Sequence, residues 1–267
     1  MAKHVRASTG SKEQAEAGVP ARAPDGTPNS PPLPFTLPQV TVAEKRRAAA
    51  LLEALEAEYP DAHCELNYTN PHELLVATIL SAQSTDVGVN KATPALFKAF
   101  PTPADYARSS PEAIEPYIRT IGLYRNKAKA IHAAMTEITH KFRGCVPQNM
   151  EDLLTLRGVA RKTANVVLGN AFGINAGFVV DTHVERLSVR MGLAARDTRI
   201  ADIEKRLMAL IPRNKWCLAS HLLIFHGRRA CKARGVNCSQ HQICAKFGVG
   251  CELRQATQSQ TGRASRP

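Results

Sequence analysis

The most informative segment of the chain is Leu156-Arg157-Gly158-Val159-Ala160-Arg161-Lys162-Thr163-Ala164. A short apolar helix is predicted to end at Leu156, and a second helix is predicted to begin near Arg161. Such a helix–hairpin–helix directs free backbone N–H groups and a helix N-terminus at one point, which suits a phosphate. The small residues Gly158 and Ala160 allow a nucleic-acid backbone to approach closely, and Arg161 adds positive charge. The stretch therefore predicts a DNA contact, although a glycine in such a turn is also typical of an ordinary helix C-cap.

The chain on both sides of this hairpin is predicted to be helical. Apolar residues recur at helical spacing, and no segment alternates with period two for long enough to build a sheet. Asp86 and Ser110 are predicted to cap the helices that follow them. We therefore predict an all-α fold of about ten helices, over Val42–Tyr59, Glu73–Gln83, Asp86–Phe100, a helix from Ser110, Lys127–Phe142, Met150–Leu156, 161–172, 183–191, 200–210 and 214–226.

The charge of the chain favours a polyanionic partner. The formal net charge is +12, and the segment from Lys205 to Cys251 contains nine Lys and Arg residues and no Asp or Glu. Such a run indicates a phosphate-facing surface more than an ordinary solvated face. There is neither a secretory signal pattern nor an apolar run of membrane-spanning length, so we expect no membrane partner and a cytoplasmic, nucleoid-associated protein. Residues 1–40 and 255–267 are predicted to be disordered tails.

Four of the seven cysteines crowd near the C-terminus with the spacing C-x6-C-x5-C-x6-C. These residues are Cys231, Cys238, Cys244 and Cys251. Clustered thiols in a reducing compartment suggest a metal site more than disulfides. The wide spacing favours a [4Fe–4S] cluster over tetrahedral zinc, with unmetallated thiols as a third possibility. Basic residues surround the first two cysteines and are predicted to contact DNA phosphates: Arg228, Arg229, Lys232 and Arg234.

Lys162 and Asp181 are the candidate catalytic residues. Lys162 lies in the first turn of the second hairpin helix, where the positive helix end and Arg161 disfavour the ammonium form. A neutral amine is what a Schiff-base nucleophile requires, although a phosphate-binding lysine is the commoner role at such a position. Asp181 follows an apolar stretch and precedes a helix, so an N-cap role is expected. Its carboxylate can also stabilise positive charge on a sugar, if one helix returns it to the cleft that holds Lys162.

Two further residues fit the extrusion of a nucleotide from the duplex. Gln83 lies at a helix end, where its amide can hydrogen-bond base edges and fill the gap left by a displaced nucleotide. Leu123 lies on an Ile-Gly-Leu-Tyr loop and is a candidate apolar wedge between base pairs. Taken alone, either residue is more often part of a helix cap or of the core.

Taken in order, these motifs resemble the endonuclease III family of DNA glycosylase/AP lyases over about residues 42–254. The resemblance depends on four quoted motifs: Leu80-Ser81-Ala82-Gln83-Ser84-Thr85-Asp86, Thr120-Ile121-Gly122-Leu123-Tyr124, Arg161-Lys162-Thr163-Ala164-Asn165-Val166-Val167 and Val180-Asp181-Thr182-His183. It implies a two-lobed fold, with a six-helix barrel over 64–175 and an iron–sulfur cluster domain from 41–63 and 176–254. It also implies base excision repair of oxidised pyrimidines in double-stranded DNA by a monomer.

The same resemblance implies a role for each site residue. Lys162 matches the catalytic lysine and Asp181 the catalytic aspartate of the family. Gln83 matches the residue inserted into the space of the flipped nucleotide, and Leu123 matches the wedge. The four clustered cysteines fall in the region of the [4Fe–4S] ligands.

Three departures from the family pattern affect these expectations. The family hairpin reads Leu-Pro-Gly-Val-Gly, whereas this chain has Arg157 and Ala160; alanine costs about 1 kcal/mol if position 160 needs a left-handed backbone. The family cysteine spacing is C-x6-C-x2-C-x5-C, so His241 and Phe247 stand where the third and fourth cysteines are expected. We expect Cys244 and Cys251 to be ligands with enlarged loops, with His241 as the minority alternative.

Two rival functions are compatible with parts of this pattern. An adenine-mismatch glycosylase shares the fold and the cluster but carries a non-nucleophilic residue at the lysine position. A non-catalytic DNA-binding relative uses the hairpin only to hold phosphates. Lys162 argues against the adenine-mismatch glycosylase, and the presence of both Lys162 and Asp181 argues against the non-catalytic relative.

Overall fold

The computed structural model describes residues 31–234 and 241–249. These residues form helices and connecting segments, and no β-strand occurs among them, so the all-α prediction is confirmed. A 3-10 turn, Arg213–Lys215, precedes the eleventh helix. The helices are α1 (Val42–Glu58), α2 (Pro71–Ser81), α3 (Asp86–Ala99), α4 (Pro103–Ala107), α5 (Pro111–Ile118), α6 (Tyr124–Lys141), α7 (Met150–Thr155), α8 (Arg161–Phe172), α9 (Thr182–Arg190), α10 (Ile200–Leu210), α11 (Trp216–Arg229) and α12 (Gln242–Phe247).

The described chain builds two separate hydrophobic cores. Helices α2 to α8 surround the first core, which runs from Leu66 to Ala176; we call this part the central lobe. Helix α1 and the four helices α9, α10, α11 and α12 surround the second core; we call this part the terminal lobe. Along the chain, the second core includes residues up to Tyr59, the first core begins at Leu66 and ends at Ala176, and the second core resumes at Phe178.

Local capping chemistry explains where the helices begin. Helix α2 begins two residues earlier than predicted because Asn70 accepts a hydrogen bond from the Glu73 backbone N–H at 3.0 Å and Pro71 occupies the first turn. The prediction that Asp86 caps α3 is wrong. Thr85 is the cap, because its hydroxyl accepts from Gly88 N at 3.2 Å. Ser110 caps α5 as predicted.

Two helices were missed by the sequence analysis. Helices α4 and α12 contain five and six residues, too few for an apolar period to be detected. A capping box stabilises α4, in which the side chains of Thr102 and Asp105 each accept a hydrogen bond from the other's backbone N–H. No helix in the described part of the chain is long and apolar enough to cross a membrane.

The segment before α1 is packed rather than disordered. Leu33, Phe35, Leu37 and Val40 lie against the terminal core, and the Pro31 carbonyl accepts a hydrogen bond from the Arg213 guanidinium. The prediction of a disordered tail is therefore wrong for residues 31–40, because four apolar side chains spaced two or three residues apart suffice to anchor an irregular segment. The predicted tails at 1–30 and 255–267 lie outside the described residues.

Candidate active site

A cavity of about 140 Å³ opens between the two lobes, and both Lys162 and Asp181 line it. Lys162 comes from the first turn of α8 in the central lobe, and Asp181 comes from the start of α9 in the terminal lobe. One cleft therefore brings together the two residues proposed to be catalytic. Polar and sulfur-bearing residues form much of the remaining wall: His63, Cys64, Glu65, Thr78, Ser81, Asp86, Thr163, His221 and Arg228. Apolar residues form the rest: Leu66, Ala82, Val166, Val179 and Ile224.

Asp181 is held in place by the helix that it caps. Its Oδ1 accepts hydrogen bonds from the backbone N–H of His183 at 2.9 Å and of Val184 at 2.8 Å. The preceding Val179 and Val180 are buried, and Val179 N–H donates to the Ser220 hydroxyl at 3.2 Å. The predicted N-cap role is thus confirmed, and the cap fixes the carboxylate at the cavity wall.

The hairpin between α7 and α8 has the predicted geometry. Gly158 has φ +83°, and a Cβ there would come within 2.9 Å of the Ala130 Cβ, so glycine is required for both backbone and space. Ala160 has φ −95° and ψ 170°, which is ordinary extended backbone. The alanine that replaces the family glycine therefore carries no left-handed strain. No side chain caps α8, so its first N–H groups have no side-chain acceptor.

Arg161 points toward the terminal lobe instead of into open solvent. Its Nε donates to both carboxylate oxygens of Glu204, at 3.0 and 2.9 Å, and its guanidinium carbon lies 5.2 Å from the Phe35 ring centroid. Asn165 donates to the same carboxylate at 3.1 Å. Arg161 thus links the two lobes, and its predicted DNA contact would have to compete with Glu204.

The turns that carry Gln83 and Leu123 share an unusual backbone conformation. Gln83 has φ 55° and Leu123 has φ 58°, and both are left-handed non-glycine residues. Both side chains are exposed. A Cβ placed on Gly122 would lie 4.0 Å from the Gln83 carbonyl oxygen, so the two turns are neighbours. Non-glycine residues held in this region are often functional.

The four predicted phosphate contacts have different surroundings. Arg228 forms ion pairs with Glu65 and, at 2.7 Å, with Asp86. Its surroundings therefore do not support a phosphate contact, because two carboxylates on the cavity wall already engage its charge. Arg229 packs 4.0 Å from the Phe225 ring centroid and remains exposed, and the exposed residues Lys232 and Arg234 lie beyond it.

Two of the four clustered cysteines meet in the terminal core. Cys231 and Cys244 are both buried, and a hydrogen bond with Cys244 together with nearby Arg190 lowers the pKa of Cys231. The Cys244 sulfur lies 3.2 Å from His226 Nε2. His226, His241 and Cys244 together form a possible metal site, since their ligand atoms lie within 4.8 Å of one another.

The other predicted ligand positions have different outcomes. Cys238 and Cys251 lie outside the described residues. Phe247 is buried, and its backbone carbonyl accepts from Arg47. A core phenylalanine therefore occupies the position of the fourth family cysteine.

Sequence reasoning missed three residues of this region: Lys127, Glu204 and Glu65. Lys127 had a detectable signal, because it occupies an apolar position of α6, in line with the buried Ile131, Ala134 and Ile138. The two glutamates had none, because their arginine partners are more than 40 residues away in the sequence.

Comparisons with known proteins agree with this geometry. Residues 76–213 match the family model described as HhH-GPD superfamily base excision DNA repair protein, so the fold and the site define a DNA-repair protein of the helix–hairpin–helix class. The chain is 52% identical over 201 residues to Endonuclease III of Synechocystis sp., which covers 75% of this chain and 91% of that protein. The chain belongs to the endonuclease III family.

Solved structures of endonuclease III show the same fold. A non-covalent Endonuclease III–DNA complex superposes with a TM-score of 0.75 at 41% identity, covering 83% of this chain and 100% of that one. A trapped Endonuclease III–DNA covalent intermediate, an estranged-adenine complex, gives a TM-score of 0.74 at 41% identity, covering 82% and 100%. The two-lobed glycosylase fold is confirmed.

Proposed function

We propose that this protein is a bifunctional DNA glycosylase and AP lyase that removes oxidised pyrimidines from double-stranded DNA. The observation that carries the proposal is that Lys162 and Asp181, from opposite lobes, line one cavity. A chain of the endonuclease III family with an amine and a carboxylate on one cleft has the groups needed for covalent catalysis on a sugar. The covalent DNA intermediate trapped with a relative supports the same chemistry.

The proposed reaction begins with extrusion of the damaged nucleotide into the cavity. The neutral amine of Lys162 attacks C1′ of the sugar, the bond from C1′ to the base breaks, and the base leaves with the bonding electron pair and a proton. The Asp181 carboxylate stabilises the positive charge on the sugar and assists proton transfer. The nitrogen then loses a proton, and its lone pair forms the Schiff base as the C1′–O4′ bond breaks and O4′ takes up a proton, which opens the sugar ring. The Schiff base acidifies the 2′-proton, a base removes this proton, and β-elimination breaks the C3′–O bond and releases the 3′-phosphate.

DNA binding is proposed to involve three groups of residues. The hairpin at Gly158 and Ala160 faces one phosphate with its backbone N–H groups, and Arg161 joins this contact when the phosphate displaces Glu204 from its guanidinium. Gln83 fills the space of the flipped nucleotide and Leu123 enters the stack as a wedge. The exposed basic residues after α11 contact further phosphates: Arg229, Lys232 and Arg234.

The clustered cysteines are proposed to hold a [4Fe–4S] cluster. Cys231 and Cys244 fit such a group, because both thiols are buried and adjacent and Arg190 donates to the Cys231 sulfur at 3.3 Å. Cys238 and Cys251 complete the proposed set. When bound, the cluster would order the loop that carries Lys232 and Arg234, and it would take no part in bond making. Assay of anaerobically purified protein should find iron and sulfide; stoichiometric zinc without iron would overturn the assignment.

Borohydride trapping tests the lyase. Wild-type protein mixed with duplex DNA containing oxidised thymine should form a covalent adduct on reduction. Lys162→Ala should bind the same DNA without forming an adduct, and Lys45→Ala, a lysine on α1, should trap like wild type. Binding without any adduct by the wild-type protein would instead favour the mismatch glycosylase or the non-catalytic rival. Full trapping by Lys162→Ala would assign the nucleophile to another amine.

We further propose that the protein acts as a monomer associated with the nucleoid in the cytoplasm. One chain supplies both Lys162 and Asp181, so the proposed chemistry needs no second copy. The net charge of +12 favours residence on DNA. Sedimentation of the protein with and without a short duplex tests the oligomeric state.

A further inference from the structure

Lys127 is a buried lysine that the proposed chemistry does not use. Only 6% of its surface is exposed, and its Nζ donates to the Leu80 carbonyl and to the Ser84 hydroxyl, both at 2.9 Å. Burial lowers the pKa of the ammonium group. Placing an amine in a core is unfavourable unless its donors are used. The position therefore calls for an explanation beyond packing, which an apolar side chain would provide equally well.

Both hydrogen bonds of Lys127 go to the turn that carries Gln83. Leu80 lies in the last turn of α2, where unpaired carbonyls and the negative helix end attract a cation. Ser84 lies on the far side of Gln83. The lysine thus holds the chain three residues before and one residue after Gln83, a left-handed residue whose conformation is disfavoured in isolation.

Lys127 is also bonded to the turn that carries Leu123. Its backbone N–H donates to the Leu123 carbonyl at 3.1 Å across the first turn of α6. Leu123 is the left-handed residue that precedes this helix, and its side chain is 61% exposed. One residue therefore connects the backbone of both turns.

We infer that Lys127 is a positioning residue that holds Gln83 and Leu123 at a fixed separation, so that both side chains enter the duplex as one unit. This inference rests on the proposed function. Without the lysine ammonium group, the Gln83 turn relaxes toward a more populated backbone conformation, while the backbone bond to Leu123 remains. Gln83 then no longer keeps a fixed position relative to Leu123. Lys162 and Asp181 keep their places, because among the described residues neither shares a hydrogen bond or an ion pair with Lys127.

The test separates opening of the duplex from chemistry at the sugar. Lys127→Met keeps the length of the side chain and removes the donors; Lys129→Met changes an exposed lysine on the same helix and is the control. The duplex substrate carries oxidised thymine opposite 2-aminopurine, whose fluorescence reports unstacking. The second substrate is a single strand with a preformed abasic site, which needs Lys162 but has no duplex to open.

Lys127→Met should lower single-turnover excision from the duplex about tenfold, as expected for loss of a charge-assisted hydrogen bond. The 2-aminopurine signal should fall with it, while β-elimination on the single strand stays within about twofold of wild type. Ser84→Ala, which removes one bond from the other side, should lower duplex excision about threefold, and Lys129→Met should match wild type.

Two results would overturn the inference. One is wild-type excision and fluorescence in Lys127→Met. The other is an equal loss on duplex and single strand in both Lys127→Met and Ser84→Ala, which would indicate general misfolding. Failure of the proposed function gives a different result from failure of this inference, because wild-type protein would then act on neither the duplex nor the single strand.

Discussion

The Arg161 guanidinium contacts the Glu204 carboxylate through Nε at 2.9 and 3.0 Å, and this pair joins the helix that carries Lys162 to the terminal lobe. Glu204 is buried, with only 8% of its surface exposed. A Cβ on Gly177 would overlap the Glu204 carboxylate, so a side chain at position 177 would displace this ion pair. The position of the proposed nucleophile thus depends on a contact made by its neighbour.

Removing one partner of this pair should destabilise the protein. Arg161→Met leaves the buried Glu204 charge with Asn165 as its remaining polar partner, and we expect a loss of about 2 kcal/mol in the free energy of unfolding, less than for a fully buried pair. Urea unfolding at pH 7 measures it. Glu204→Leu combined with Arg161→Met should recover part of the loss, since no charge then stays buried. Additive losses in the double variant would argue against a direct interaction.

The two roles of Asp181 can be separated by an amide. Asn caps helices as well as Asp does, so Asp181→Asn should change the free energy of unfolding by less than about 0.5 kcal/mol. Because the amide cannot stabilise a cationic sugar, single-turnover excision should fall at least about a hundredfold, or about 2.7 kcal/mol in the activation barrier. Asp181→Ala should lose the cap as well, at about 1 kcal/mol. An Asn variant that excises like wild type would leave Asp181 with a capping role only.

The hairpin glycine should tolerate no side chain. Gly158→Ala introduces both a left-handed alanine and a 2.9 Å contact with the Ala130 Cβ, so we expect a loss of about 2 kcal/mol in stability and weaker DNA binding. In the double variant Gly158→Ala with Ala130→Gly, the contact between the two Cβ atoms is removed but the left-handed alanine remains, so only part of the lost stability should return. Ala160→Gly should change stability by about 0.5 kcal/mol or less, because φ −95° suits either residue. Equal effects at positions 158 and 160 would contradict this account.

The stability of the protein should fall on mild acidification. Burial, assisted by the nearby charges of His63 and Arg228, lowers the pKa of His221 to about 4; its Nε2 lies 2.7 Å from Asn170 Oδ1 and 3.7 Å from the Cys217 sulfur. Unfolding lets this imidazole take up a proton below its ordinary pKa of 6.5. The contribution of the neutral ring is therefore complete above pH 6.5 and is lost as the pH falls toward 4, by about 3 kcal/mol in total.

Urea unfolding of wild type and His221→Gln at pH 7 and pH 4.5 checks this prediction. The variant keeps a polar group near Asn170 but has nothing to titrate, so its stability should fall less between the two pH values. An identical fall in both proteins would assign the acid sensitivity to other groups.

Much of the fold follows from local patterns along the chain. The hairpin, the cap at Asp181 and most of the helix positions depend on residues within a few places of one another, and each of these appears in the structure. The short helices α4 and α12 cannot be predicted from the sequence, because they contain too few residues to show an apolar period. The packing of the segment around Phe35 is not predicted either, because the composition of this segment resembles that of a disordered tail.

The site is less predictable than the fold because its contacts are long-range. The sequence shows Arg161 and Arg228 as free positive charges, whereas Glu204 and Glu65 engage them across the lobe interface. Nothing local indicates these partners. The same holds for Lys127, whose role depends on a turn 43 residues earlier in the chain.

The membership of α1 in the terminal lobe has a consequence for biosynthesis. Among the described residues, helix α1 is synthesised before the helices that cover its apolar face, since these all follow Phe178. The central lobe, by contrast, is one uninterrupted stretch and can fold while synthesis continues. We therefore expect nascent chains to hold a folded central lobe while the apolar face of α1 is still uncovered, so that a chaperone that shields apolar helices would bind α1 during this interval.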